Sequence, residues 1–428
     1  MAFLYPFLNF LQPGVFWPSL APYKPMLLAT LIVVLFELIR SRPGDAELRR
    51  RFFLHPAFLW LCVFVLVQVI SVYYSGVRGM LEELDFWDVY LLFVAASLLG
   101  IHDARSLRRY VWGMMLGSAV VVAFGLYAVA VDLPTLAGGR AGAYGMYENH
   151  NDYTFIIIMV LPFAYLFLRV SRAWLAKLLL LALVAACMAG VVLSLSRGGI
   201  LALVLECALI LGLTTAGKPR LLALVAVALI ASPVITYQFN AREENQQGVY
   251  TQEDAANSRY ELWRAARNML VAHPILGIGS RRFKEFAQDY GEISHDNRGK
   301  VAHNTYMEVA ADTGILGFAS FVLMLHGIFR SARGVRLADA RGDGLVEIRL
   351  ATFISLCAIM FRSLLDAKAY DWSFYVLAVL AIATSVVASS PAAQPAAQGE
   401  AAEHKTAVPG EAARRPAASA RPMVYRQR

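Results

Sequence analysis

Apolar runs long enough, or nearly long enough, to cross the hydrocarbon of a bilayer recur from one end of the chain to the other. An isolated core helix would not repeat in this way. The pattern predicts an all-α, polytopic integral membrane protein with about twelve transmembrane helices. The predicted spans lie near 2–19, 25–40, 53–74, 86–102, 109–131, 153–170, 174–194, 198–214, 220–237, 304–330, 347–365 and 372–388.

Two prolines, Pro13 and Pro18, interrupt the first apolar run. Proline removes a backbone donor and clashes with the preceding helical turn. This run is therefore either a span or a broken, re-entrant element. If it does not cross, only the location of the N-terminus changes.

The composition agrees with a bilayer as the solvent. Of the 428 residues, 58% are hydrophobic and only 16% are charged, which excludes an ordinary soluble protein of this size. The four cysteines each lie inside an apolar stretch and lack zinc-ligand spacing, which is typical of packing residues: Cys62, Cys187, Cys207 and Cys357.

Basic residues alternate from loop to loop, and this distribution accounts for the net charge of +8. They are scarce in the loops after odd-numbered spans and cluster around the cytoplasmic ends of the others, at 40–51, 105–109, 169–177, 218–220 and 330–341. The positive-inside rule then places both termini in the cytoplasm and the long segment 238–303 outside. The charge thus has a topological cause rather than indicating a nucleic-acid partner.

Two regions of different composition are predicted. Residues 1–388 form a transmembrane domain that includes the external loop 238–303. From about Ser389 the chain is rich in Ala, Pro and Gln, which cannot bury a core, so 389–428 is predicted to be a disordered cytoplasmic tail.

Polar residues collect on the predicted external side. Four groups map there: 147–152 before the sixth span, 194–199 between the seventh and eighth, the long loop, and its exit at His303. Arg197 is the only charge between two long apolar helices, where the topology rule predicts few cations. It is either a snorkelling interfacial anchor or a functional cation at membrane depth.

The long loop contains a capping-box pattern, with Ser258 as the N-cap and Glu261 reaching back. It predicts a helix that runs to His273 and places Arg259 in the first turn, where the helix dipole and a guanidinium suit a phosphate. Arg264 lies roughly 140° around the helix from Arg259, so the two are not expected to reach one small ligand. Arg264 is either a second substrate contact or part of a solvated basic face.

His303 lies just outside a second predicted helix start, the capping-box pattern Thr305 to Glu308. The positive end of the helix dipole disfavours imidazolium there, and a neutral imidazole can accept a proton. A structural, hydrogen-bonded histidine is the alternative. Asn304 and Glu308 are candidate substrate-binding residues, and capping explains Glu308 equally well.

The group before the sixth span supplies two further candidates. His150 and Asn149 can bind sugar hydroxyls, or they simply end a loop and cap a helix. No Walker loop, dinucleotide turn or compact metal-ligand cluster occurs in the sequence. Without ATP on the outer side, an activated donor would have to arrive already attached to lipid.

A set of ordered motifs resembles the O-antigen ligase and O-antigen polymerase superfamily. The motifs are LSLSRGG at 193–199, SRYELWR at 258–264, HPILGIG at 273–279, AHNTYME at 302–308 and TGILG at 313–317. The resemblance is specific over roughly 190–330, and it rests on the order of the motifs rather than on one of them.

The resemblance implies a GT-C-like, all-helical glycosyltransferase of the bacterial inner membrane that acts at the periplasmic face. Such enzymes transfer a glycan from undecaprenyl diphosphate by a metal-independent, inverting reaction. On matching positions, Arg197 and Arg259 would hold the diphosphate, and His303 would act as general base or position the acceptor. Paired guanidiniums can take that charge without a metal, so no cofactor is expected.

The acceptor is left open by the sequence. Ligase-type transfer to lipid A core is the leading hypothesis, with polymerisation of lipid-linked repeats or transfer to protein as alternatives. A transporter or flippase is the rival from another class, and it predicts charges in the middle of several spans. Few mid-span charges are evident apart from Glu206.

Overall fold

Helices form the regular structure of the residues that can be described, which are 1–40, 44–76, 80–133, 140–245, 252–339 and 342–389. No β-strand occurs among them, so this computed structural model confirms the predicted all-α class. The predicted tail lies outside the described residues except for Ser389. In chain order the helices are α1 (Leu4–Leu11), α2 (Pro13–Phe16), α3 (Pro25–Ile39), α4 (Asp45–Phe53), α5 (Pro56–Tyr74), α6 (Met80–Leu99), α7 (Ala104–Ala130), α8 (His150–Val170), α9 (Trp174–Leu193), α10 (Arg197–Thr214), α11 (Lys218–Asn245), α12 (Gln252–Ala272), α13 (Phe283–Phe286), α14 (Thr305–Ala332), α15 (Leu345–Arg362) and α16 (Ser373–Ala388).

Among these described helices, seven are long and apolar enough to cross a membrane: α5, α7, α8, α9, α10, the Lys218–Thr236 part of α11, and α14. The helices α3 and α16 are apolar but have only 15 and 16 residues. Acidic residues at the start of α6, including Glu82 and Glu83, reduce its apolar character. The multi-pass architecture is thus supported, whereas the predicted count of twelve spans is not confirmed.

The first apolar run is broken where the sequence predicted. Helix α1 ends at Leu11, Gln12 adopts a left-handed backbone with φ of 53°, and α2 begins at Pro13. A short 3₁₀ segment, Pro18–Tyr23, follows. Helix α1 packs on α7 at Gly117, where an added Cβ would lie 2.7 Å from the Phe10 Cβ. Because Gly117 has no side chain, α1 can approach α7 this closely.

Helices α8 and α16 form much of the core. Most residues of α8 and nearly every residue of α16 are buried. A helix that is hydrophobic on all sides belongs in the centre of a bundle, which agrees with this position. Helix α8 contacts α7, α9, α10 and α15, so it connects the elements that carry the polar groups described below.

A break in α14 joins two of the sequence motifs. Gly314 has φ of 63° and ψ of −163°, which interrupts the helical hydrogen bonds. The 273–279 turn fills the gap: Gly279 N donates to Asp312 O at 2.9 Å, and Ile315 N donates to Pro274 O at 2.8 Å. The backbones approach so closely that a Cβ on Gly314 would lie 2.4 Å from the Ile275 carbonyl carbon. This turn therefore docks the segment that follows α12 against α14 near Gly314.

Candidate active site at the start of α14

His303 directly precedes α14 and faces a carboxylate from another loop. Its Nδ1 lies 3.6 Å from Asp366 Oδ1, and the two side chains are 31% and 9% exposed. His303 has φ of 50°, a left-handed conformation that is uncommon for a residue with a side chain. Such strained residues concentrate at functional sites. A half-buried imidazole with one nitrogen toward a carboxylate leaves Nε2 for another partner.

The start of α14 is fixed by Asn304 rather than by the predicted Thr305 cap. Asn304 Oδ1 accepts hydrogen bonds from the backbone N–H groups of residues 306 and 307. Thr305 is used differently, because its N–H and hydroxyl donate to Asp366 O at 3.0 and 2.7 Å. Its Oγ1 also accepts from Lys368 N at 2.8 Å. These bonds hold the 363–368 loop beside His303.

Asp366 is charged despite its burial. Burial raises the pKa of this carboxyl, but the neighbouring His303 ring and the charges of Arg362 and Lys368 lower it to about 2. Lys368 is also buried, and burial lowers its pKa, but Asp371, Asp152 and Asp366 together raise it above its usual value. The loop thus carries an ionised network at neutral pH.

Arg362 ends α15 and joins the loop to α8. Its guanidinium is only 2% exposed and donates to Asn151 O at 3.3 Å and to Thr154 Oγ1 at 3.2 Å. It lies 3.7 Å from Asp366 Oδ2. A Cβ on Gly198 would lie 2.1 Å from its Nη1, so the glycine makes room for this arginine.

The predicted tight turn before Arg197 is present. Ser196 caps α10 by accepting from Gly199 N, and its hydroxyl donates to Asn151 Oδ1 at 2.8 Å. Leu195, with φ of 50°, is strained as His303 is. Arg140 donates to Ser194 O and Leu195 O, both at 2.9 Å, and satisfies carbonyls at the end of α9. Arg197 is half-buried and directly precedes Gly198 in the chain. The Arg362 guanidinium occupies the space where a side chain at Gly198 would lie.

The predicted Ser258 cap is wrong, because α12 begins six residues earlier at Gln252. Both side chains of that pattern make tertiary contacts instead. Ser258 Oγ donates to Asn297 Oδ1 at 2.5 Å, and Glu261 accepts from Ser294 and Asn297. Arg259 consequently lies inside the helix, and the proposed effect of the helix dipole on it does not apply. The positive charge of Arg259 nevertheless repels the like charge of Arg362.

The other predicted residues have more varied positions. Glu308 is buried and accepts from Ala302 N at 2.8 Å, so it fixes the backbone next to His303. Asn149 caps α8 by accepting from the N–H of residue 151 at 2.8 Å, whereas half-buried His150 is the first residue of that helix. Arg264 is exposed on α12. Substrate binding by these residues stays a prediction.

Sequence reasoning missed Arg362, Asp366 and Lys368. A signal was available, since the loop between the eleventh and twelfth predicted spans is predicted to be external, where the topology rule predicts few cations. Arg362 was counted as part of an apolar run. Buried charges are also more frequent than Glu206 alone, because Glu308 and Asp312 in α14 are buried too.

The described residues contain no group of three or more His, Cys, Asp or Glu side chains arranged to hold a metal ion. The charged groups at the 363–368 loop beside His303 are instead of both signs, with the cations Arg362 and Lys368 next to Asp152, Asp366 and Asp371. Guanidinium and ammonium groups of this kind bind phosphate oxygens, and a histidine beside a carboxylate can transfer a proton.

A family model matches residues 181–322 of the chain. It describes the O-antigen ligases. The matched segment contains Arg197, Arg259 and His303, and the match confirms the family resemblance that the motifs predicted. Arg362 and Asp366 lie beyond its C-terminal end.

Two curated proteins are similar to part of the chain. "Putative polysaccharide ligase RP358" of Rickettsia prowazekii (strain Madrid E) is 25% identical over 129 residues, covering 28% of this chain and 31% of that protein. "Putative polysaccharide ligase RT0347" of Rickettsia typhi (strain ATCC VR-144 / Wilmington) is 24% identical over the same extent. The chain thus matches about a third of the length of each relative.

Proposed function

We propose that this protein is a membrane glycosyltransferase that moves a glycan from undecaprenyl diphosphate to an acceptor hydroxyl at the periplasmic face of the bacterial inner membrane. Ligase-type transfer to lipid A core is the preferred reaction. The match to the O-antigen ligases and the names of the two relatives support this choice.

One structural observation carries the proposal. His303 Nδ1 and Asp366 Oδ1 lie 3.6 Å apart, and Asp366 Oδ2 lies 3.7 Å from the Arg362 guanidinium. Arg362 occupies the space beside Gly198, which follows Arg197 in the chain. Arg259 on α12 acts on the same guanidinium. Of the three residues singled out by the motifs, His303 thus lies beside a buried ionic network of Arg362, Asp366 and Lys368. The participation of Arg197 and Arg259 is part of the proposal.

In the proposed reaction His303 accepts the proton of the acceptor hydroxyl through Nε2. Asp366 faces Nδ1 and orients the ring, so it is a positioning residue. The hydroxyl oxygen forms a bond to the anomeric carbon of the donor while the bond from that carbon to the phosphate oxygen breaks. The electron pair leaves with the lipid diphosphate.

The arginines act on the leaving group. Negative charge increases on the diphosphate as the sugar-phosphate bond breaks, and Arg197 and Arg259 stabilise that charge. Cations fixed in a water-poor site need little reorganisation during the reaction, and each such donor contributes on the order of 10²- to 10³-fold in rate. This role requires no metal ion.

An acceptor comparison tests the reaction. Purified full-length protein in nanodiscs would be supplied with a native lipid-linked donor and, in parallel, with lipid A core, a second donor molecule or a candidate protein. Transfer to lipid A core supports the ligase, and elongation of the donor identifies a polymerase. Transport would be measured separately, with the same protein in closed vesicles. Movement of the donor across the vesicle membrane without release of undecaprenyl diphosphate would identify a transporter and contradict the proposal.

The proposed orientation has its own test. A cysteine at exposed Glu292, in the external loop, is expected to react with a membrane-impermeant maleimide once the outer membrane is permeabilised. A cysteine at exposed Arg172, between α8 and α9, is expected to react only after the inner membrane is opened. The reverse pattern would contradict a periplasmic site.

A further inference from the structure

A polar cavity of about 350 Å³ lies beside the His303 segment and is not part of the arginine network. Its volume falls within the range of small-molecule sites, roughly 300–1,000 Å³. It is lined by the start of α6, the 280–285 turn, Val301, Glu308 and Tyr370. All of these elements belong to the predicted external end of the bundle.

Two lining residues connect the cavity to the proposed catalytic pair. Glu308 holds Ala302 N, the residue before His303 in the chain. Tyr370 lies four residues after Asp366 and donates its hydroxyl to Asp312 Oδ2 at 2.7 Å. The cavity therefore shares the His303 and Asp366 segments with the catalytic site.

The cavity and the arginine network approach that pair from different elements. The cavity uses α6, the 280–285 turn and α14. Arg362 and the Arg197 turn are instead held by α8, α10 and α15. In an inverting displacement the incoming hydroxyl and the leaving group occupy opposite sides of the anomeric carbon. A cavity separate from the diphosphate side thus suits the incoming molecule.

The charges of the lining suit a polyhydroxyl ligand rather than an anion. It carries both signs in near balance: Glu82, Glu83, Glu285 and Glu308 against Arg281, Arg282 and Lys284. Carboxylates accept hydrogen bonds from sugar hydroxyls, and guanidinium or ammonium groups donate to them. Because the lining has no excess of positive charge, it does not favour a phosphate.

Several of these polar groups are already held in place. Glu83 accepts from Trp87 Nε1 at 2.7 Å and from Ser280 Oγ at 2.5 Å. The Arg281 guanidinium lies 3.8 Å from the centre of the Phe86 ring. Arg281 Nη1 lies 3.8 Å from Glu83 Oε2, so the guanidinium is held between this carboxylate and the ring. A preorganised lining of this kind reduces the entropy lost on binding.

We propose that this cavity binds the uncharged sugar residues of the acceptor glycan and presents its hydroxyl to His303. The inference rests on the proposed function and adds the location and chemistry of the acceptor subsite. The donor diphosphate stays on the arginine side, so binding of donor and acceptor depends on different residues.

Glu82→Gln and Lys284→Gln test the subsite, because both side chains are exposed lining residues that the local fold does not require. Glu292→Gln, at an exposed loop position that does not line the cavity, is the matched control. Each lining variant is expected to raise the acceptor KM about tenfold, as for loss of a charge-assisted hydrogen bond. The donor KM should not change. An unchanged acceptor KM, or a rise in the donor KM instead, would overturn the inference.

A binding measurement separates this inference from the proposed function. Oligosaccharide released by mild acid from the lipopolysaccharide of the source bacterium would be titrated calorimetrically into wild-type protein and the three variants. Weaker binding to Glu82→Gln and Lys284→Gln than to Glu292→Gln supports the subsite even if the wild type transfers nothing. Equal binding to all four proteins contradicts it, whatever the transfer assay gives.

Discussion

His303 Nδ1 lies 3.6 Å from Asp366 Oδ1, although all of α14 and α15 lies between the two residues in the chain. The contact depends on Thr305, whose N–H and hydroxyl both donate to Asp366 O. A helix start and a distant loop are thus joined at one residue. This arrangement fixes which imidazole nitrogen is available to a substrate.

Asp366→Asn is expected to lower turnover on the order of 10²- to 10⁴-fold, because the amide cannot orient the ring as the carboxylate does. The pKa of Asp366 is about 2 in the folded protein and about 3.9 in the unfolded chain. Its ionised form therefore adds about 2 kcal/mol to the free energy of unfolding above about pH 4, and this contribution is lost as the pH falls through about 2. The difference in unfolding free energy between wild type and variant, measured by thermal unfolding, should therefore shrink as the pH falls below about 4.

The matched control is Asp296→Asn, at a carboxyl that is 73% exposed in the segment between α12 and α14. It should keep wild-type turnover. A difference in unfolding free energy between wild type and Asp366→Asn that had already disappeared at about pH 5 would show that the carboxyl titrates at higher pH, contrary to its ionised state in the structure.

Gly198→Ala is expected to displace Arg362 and reduce transfer about 10- to 100-fold while leaving the bundle folded. The added Cβ would lie 2.1 Å from Arg362 Nη1, and that guanidinium is buried and held by Asn151 and Thr154. Gly212→Ala, also on α10, is the control, because its Cβ would meet nothing closer than 3.7 Å. Equal transfer rates for the two variants would show that the position of Arg362 is unimportant.

Gly314→Ala is expected to destabilise the protein by more than about 3 kcal/mol, since it combines backbone strain with a steric clash. Its Cβ would lie 2.4 Å from the Ile275 carbonyl carbon. Gly299→Ala has a similar positive φ of 73° but no atom within 4 Å of the new Cβ, so only about 1 kcal/mol is expected there. Thermal unfolding in detergent would compare them, and equal midpoints would disprove the docking role of the 273–279 turn.

The helical class and the break near Pro13 could be predicted because they depend on local pattern and backbone chemistry. The helix starts were harder. Asn304 caps α14 in place of Thr305, and α12 continues through Ser258, because the side chains of Thr305 and Ser258 make contacts with residues distant in sequence. A capping pattern cannot be distinguished from such tertiary contacts without the fold.

The candidate site was only partly predictable for a related reason. Arg197, Arg259 and His303 were chosen from motifs, and the structure places His303 Nδ1 3.6 Å from Asp366 Oδ1, whereas the roles of the two arginines stay predictions. Arg362 and Asp366 were missed because their importance arises from packing, with Arg362 filling the space beside Gly198 and Asp366 facing His303. Neither relationship is encoded in nearby sequence.

Single-turnover release of undecaprenyl diphosphate tests the central claim most directly. Wild type, His303→Ala and His295→Ala would each be mixed in nanodiscs with a native lipid-linked donor and lipid A core. His295 is a control with a 93% exposed side chain in the same segment between α12 and α14. The account predicts that His303→Ala lowers the release rate about 10²- to 10⁴-fold, as for loss of a general base, and that His295→Ala keeps the wild-type rate. Equal release rates in all three proteins would contradict catalysis at His303.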